Sequence, residues 1–140
     1  MFVILFAGAL GMAAASQALG QSFGDIQGKW TLKKATGRFS DATQTIVFKD
    51  SKFTYLVVSK AGDTLQFAKG RALVDKLGPF SIIKLTEIAG GDSADTLNPT
   101  GDDRTLIYMK GYDTLIVAAN FDASRDGEET GADTWTKVKP

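Results

Sequence analysis

An all-β domain, closed as a single antiparallel up-and-down β-barrel of about eight strands, is what this 140-residue sequence predicts. Three observations carry that reading. Short runs rich in Val, Ile, Thr, Phe and Tyr recur along the chain behind residue 21. Gly, Asp, Ser and Lys clusters separate them, which is the punctuation of tight turns. No segment behind residue 21 sustains a helical period between caps. The runs predict strands over 29–36, 43–49, 52–60, 64–74, 80–88, 103–110, 113–121 and 133–139. Tight turns join most of them, so the expected arrangement is a meander, and closing it removes the exposed sheet edges.

The first element lies ahead of the strands. Met1 to Gly20 has no charged side chain, and an apolar run from Phe2 to Ala15 is followed by small residues. That is the pattern of a secretory signal peptide, although the start lacks the usual Lys or Arg. Cleavage is expected after Ala18 or Gly20. Residues 1–20 therefore read as a removed signal and 21–140 as the barrel domain, exported to a periplasmic or extracellular location. The apolar run falls short of the roughly 20 residues that span a bilayer, so no stable membrane insertion is expected after cleavage.

Turn chemistry supports each hairpin. Asp-Thr before an apolar residue occurs four times, as Asp63-Thr64, Asp95-Thr96, Asp113-Thr114 and Asp133-Thr134. Asp accepts backbone N–H bonds at a turn and the β-branched Thr begins a strand, which is expected in three of the four. Leu65 and Phe67 alternate with Thr64 and Gln66, as a strand with one wet face does. Phe53–Val58 and Thr114–Ala119 are instead apolar on both faces, and their outer faces call for cover from the leader, a partner or a long loop. Residues 89–101 form the longest polar stretch, expected as a loop near one end.

Composition removes several chemistries. Lys+Arg and Asp+Glu both number 16, so no global basic field points to nucleic acid. The absence of His and Cys excludes His-based triads, Cys nucleophiles, thiolate or imidazole zinc sites and disulfides. The adjacent carboxylates Asp102-Asp103 and Glu128-Glu129 would point to opposite faces of a strand, and no Ser-x-x-Lys or Gly-x-Ser-x-Gly stretch occurs. No enzyme activity and no cofactor are expected. Asp122 to Asp133 approximates a calcium loop, with oxygen side chains at positions 1, 3 and 5 and Gly at 6. However, position 12 is Asp rather than Glu, and strands flank the segment, so it reads as an acidic hairpin loop without a metal.

Gly28-Lys29-Trp30 at the start of the first strand resembles the Gly-x-Trp motif that opens lipocalins and related calycin barrels. Asp113–Asp122 and Asp133–Lys139 look like the closing strands of the small lipocalin-like domains of bacterial secreted proteins. The resemblance implies that Trp30 packs across the closed end of the barrel, with Gly28 beside it. A basic side chain from the last strand, Lys137 or Lys139, would lie over the ring. The family's usual Arg at that place, its helix after the eighth strand and its disulfides have no counterpart here.

A barrel of eight strands either holds one small ligand or fills itself with side chains. Phe48, Phe53, Tyr55, Phe67, Phe80, Tyr108 and Phe121 are the aromatic pool for either role. Two functions follow. One is an exported protein that binds a small hydrophobic molecule in the barrel. The other is a non-enzymatic interaction module with a solid core, whose apolar outer faces meet a protein partner or a second copy.

Overall fold

Inward alternation of apolar side chains shapes the whole molecule. The computed structural model describes residues 22–140, so the expected signal segment lies outside the described residues. A 3-10 turn, Phe23–Asp25, leads into nine strands: β1 (Gly28–Lys33), β2 (Thr43–Lys49), β3 (Lys52–Val58), β4 (Thr64–Leu77), β5 (Phe80–Gly91), β6 (Asn98–Pro99), β7 (Arg104–Lys110), β8 (Thr114–Ala119) and β9 (Gly131–Lys137). β1 to β5 pair in chain order, β5 pairs with β7, and β7, β8 and β9 follow. β9 then pairs with β1, closing an eight-stranded antiparallel up-and-down barrel. The short β6 is the additional strand.

Local chemistry explains the hairpins. Asp50 and Ser51 both take positive φ, the geometry of a two-residue turn whose twist matches its flanking strands. β4 and β5 form the longest ladder and shift register between Lys69 and Arg71. Gly70 sits in that bulge because a Cβ there would lie 2.6 Å from the Thr86 carbonyl oxygen and 2.9 Å from the Phe53 ring. The bulge bends the long ribbon round the barrel.

Several expectations need correction. β4 runs on to Leu77 and β5 to Gly91, past the expected 64–74 and 80–88, so the turn between them is only Gly78-Pro79, within the expected 75–79 connection. Within the expected 89–101 loop, β5 continues to Gly91 and Asn98-Pro99 pairs with Ala89 and Gly90. Thr64 and Thr114 begin strands, but Asp133-Thr134 lies inside β9 and Asp95-Thr96 in a turn. The ladder of β8 with β9 reaches back to Gly131, so the turn precedes that Asp-Thr pair.

One end of the barrel is plugged. Trp30 is fully buried, and its indole N–H donates to the Ile26 carbonyl at 2.8 Å. Ile26, Phe48, Ile83, Tyr108 and Leu115 belong to the same buried cluster. Of the two lysines the resemblance offered, Lys137 lies over the Trp30 ring, 5.3 Å from its centroid, while Lys139 pairs with Asp113. Gly28 has φ +127° with the Lys137 side chain against it, so a Cβ would be both strained and crowded. We expect Trp30→Ala to cost about 3–5 kcal/mol by urea denaturation, against about 0.5–1 kcal/mol for Lys137→Ala. A smaller loss for Trp30→Ala would show that the plug is dispensable.

Candidate functional site

Strand parity places a mixed set of side chains above the plug. Ile46, Phe53, Ala68, Leu85, Ile88 and Trp135 belong to the buried cluster and also line a cavity of about 730 Å³. Leu106 and Val117 complete its apolar wall. The barrel is thus solid at the Trp30 end and hollow at the other. Segments 34–39 and 127–133 form much of the rim. The volume falls in the range of about 300–1,000 Å³ usual for small-molecule pockets.

The aromatic pool divides. Phe53 and Tyr55 line the cavity, whereas Phe48 and Tyr108 lie in the packed core and are not part of its wall. The Tyr108 hydroxyl donates to Asp25 at 3.4 Å, tying β7 to the leading turn. Burial first, and then the Asp25 charge, push that hydroxyl up to about 12. Phe67, Phe80 and Phe121 are corrections to the interior pool. Phe67 neighbours the inward Ala68 and so stands on the outer face. Phe80 is exposed at the hairpin tip, and Phe121 is exposed in the turn after β8.

Polar groups concentrate toward the rim. Gln44 is 8% exposed and lines the cavity, and the Tyr55 hydroxyl donates to its side-chain oxygen at 2.8 Å. Burial pushes the Tyr55 hydroxyl up to about 12, so it stays protonated at ordinary pH. The available signal for Gln44 was parity: it shares a strand face with Ile46 and Phe48, where a polar residue is unusual.

One wall of the rim is an ion network that the sequence reading missed. Arg125 donates to both carboxylate oxygens of Asp102, at 2.8 and 3.0 Å, and to Asp122 at 2.9 Å. Arg104 grips Glu128 at 2.7 and 3.2 Å and also reaches Asp102 at 3.2 Å. Asp122 further accepts the Thr105 backbone N–H at 2.8 Å. The loop that resembled a calcium site is therefore organised on its own guanidinium, which takes up the carboxylate at its first position. Among the described residues no cluster of three or more acidic side chains forms a metal site. The network joins the start of β7 to the connection between β8 and β9.

Those hydrogen bonds set the acid response. Donation from Arg125 holds the Asp102 and Asp122 carboxyls below their ordinary range, and donation from Arg104 does the same for Glu128. A lowered carboxyl pKa stabilises the fold above the unfolded value of about 4, and that support fades as pH falls through the lowered values. Thermal melting is therefore expected to hold between neutrality and about pH 5 and then fall. Arg125→Ala should destabilise by about 1–3 kcal/mol at pH 7 and weaken the acid dependence. An unchanged melting profile below pH 4 in that variant would separate the network from the acid response.

The fold and the cavity together define a β-barrel plugged at one end and open at the other, with an apolar chamber under a charged rim. Comparison of the chain with protein-family models, with curated proteins and with solved structures finds no match.

Proposed function

We propose that the protein is an exported, lipocalin-like binding protein that holds a small hydrophobic molecule in its barrel. The observation that carries this reading is the chamber of about 730 Å³, whose apolar wall rests directly on the packed core. A solid barrel would have spent those side chains on each other. The Gly28–Trp30–Lys137 plug supports the likeness to lipocalin-like barrels, and the apolar Met1–Gly20 segment supports export. The charged rim groups pair mainly with one another, Lys34 with Asp133 and Arg104 with Glu128, which suits a binding site better than a catalytic one.

An outer apolar face favours a second reading, a protein partner or a second copy. Leu73, Leu77, Phe80, Met109 and Ile116 are exposed on β4, β5, β7 and β8, and Tyr112 in the turn between β7 and β8 is 91% exposed. The structure pairs Met109 with Ile116 and Leu77 with Phe80 across adjacent strands. Native mass spectrometry of protein purified from its source separates the two readings. A small molecule travelling with the monomer is the expected result. A ligand-free dimer or hetero-complex would replace the first reading with the second.

A further inference from the structure

The chamber carries two polar features that its apolar wall does not explain. The first is the Gln44–Tyr55 pair. A glutamine amide has two N–H donors and a tyrosine hydroxyl has one, and their mutual bond uses a single donor whichever way the amide is turned. The bond is 2.8 Å long, and among the described residues neither side chain makes another hydrogen bond. Two donors therefore remain on a pair that lines the cavity, with Gln44 more than nine-tenths buried. Buried donors of this kind are normally matched by acceptors.

The second feature is Arg38. It lines the same cavity from the connection between β1 and β2, with its guanidinium 4.9 Å from the centroid of the neighbouring Phe39 ring. Lys34 and Arg104, the other lining cations, are held by Asp133 and Glu128 at 3.1 and 2.7 Å. Among the described residues Arg38 has no ion pair. Glu129 also lines the cavity unpaired, but the two differ in what they face. Burial raises the Tyr55 hydroxyl, and the strongest charge acting on it is Arg38, which opposes that rise; the paired groups Glu128, Arg104 and Asp133 act after it, and Glu129 is not among them.

We propose that the chamber takes an amphipathic monocarboxylate, with its carboxylate accepting hydrogen bonds from the Gln44 amide, which the Tyr55 hydroxyl holds in place, beneath Arg38 and its apolar tail against Phe53, Leu106 and Trp135. This rests on the reading of the barrel as a ligand carrier and adds the chemical class of the ligand. Only a group that accepts hydrogen bonds satisfies the spare donors, and only an anionic one also answers the unpaired guanidinium. A carboxylate does both with its two oxygens. An alcohol of the same chain length meets the first need alone.

The test compares three probes sharing one tail: decanoate, decan-1-ol and decyltrimethylammonium. Binding to the full domain is measured by calorimetry and by Trp135 fluorescence. Decanoate is expected to bind at least tenfold more tightly than decan-1-ol, and decyltrimethylammonium more weakly than either. Arg38→Gln, in an exposed loop segment, should bring decanoate to within threefold of decan-1-ol without changing the alcohol's affinity. Gln44→Leu should do the same if it folds, and the Arg38 variant stands alone if it does not. Equal affinity for decanoate and decan-1-ol, or an unaffected Arg38→Gln, overturns the carboxylate assignment and leaves the carrier reading standing. Failure of all three probes to bind overturns the carrier reading as well.

Discussion

Closing the sheet on itself is the constraint from which the rest of this structure follows. The seam between β1 and β9 is short: Trp30 faces Lys137 and Thr31 faces Thr136. One further backbone bond, from Val138 N–H to the Lys29 carbonyl, extends it at 2.8 Å. The β1–β2 ladder, by comparison, pairs every residue from Gly28 to Lys33. A seam with so few ladder bonds needs side chains to hold it. Trp30 supplies them from one side by filling the barrel's end, and Lys137 from the other by lying over the indole. The same lysine reaches the Gln27 carbonyl at 3.4 Å, binding the last strand to the turn that precedes the first.

Because the plug sits where β1 begins, it also sets the polarity of the barrel. Antiparallel order sends the turns at 50–51, 78–79 and 111–113 to the Trp30 end, and these are short. The connections at 34–42, 59–63, 92–103 and 120–130 fall at the opposite end, and all but 59–63 are long. Length at that end lets polar side chains reach over an apolar chamber without occupying it. The Asp102–Arg104–Arg125–Glu128 network then holds two of those connections in place. The rim is thereby partly organised by the fold itself, which under the proposed carrier role reduces the ordering cost of binding.

The fold was legible in the sequence because its signals are local. Turn residues and β-branched runs mark strands wherever one face is wet and the other dry, and Gly28-Lys29-Trp30 marks the start. Parity was harder to read. In Phe53–Val58 both faces are apolar, so alternation alone cannot say that Phe53, Tyr55 and Val57 face inward; the pairing with Gln44, Ile46 and Phe48 decides it. Phe67 entered the interior pool for the opposite reason: Thr64–Phe67 alternates cleanly, but it is the polar Gln66 that lines the cavity, while Leu65 and Phe67 stand on the outer face. Residues 75–79 fell between two expected strands, since Asp75, Lys76, Gly78 and Pro79 are charged or turn-forming. In the structure Asp75, Lys76 and Leu77 remain paired with β5 and only Gly78 and Pro79 make the turn, in a ribbon whose tip is solvent-exposed. β6 carries no sequence period, since it is two residues long and one of them is proline.

The rim could not be read from spacing at all, and the reason is physical. Arg125 meets Asp102 and Arg104 meets Glu128 across 23 and 24 residues. An acidic loop seen alone resembles a cation site because its carboxylates repel one another and call for positive charge. What sequence proximity hides is that the charge is supplied partly from within the loop and partly from β7. Once those carboxylates are matched, the charges that remain unmatched in the chamber become informative, and they are few. A buried amide with donors to spare does not stabilise an empty barrel, whereas the exposed Arg38 is solvated and carries no such cost. Under the proposed carrier role a ligand's acceptor group completes the amide, and this makes the polar edge of the chamber more telling than its apolar wall.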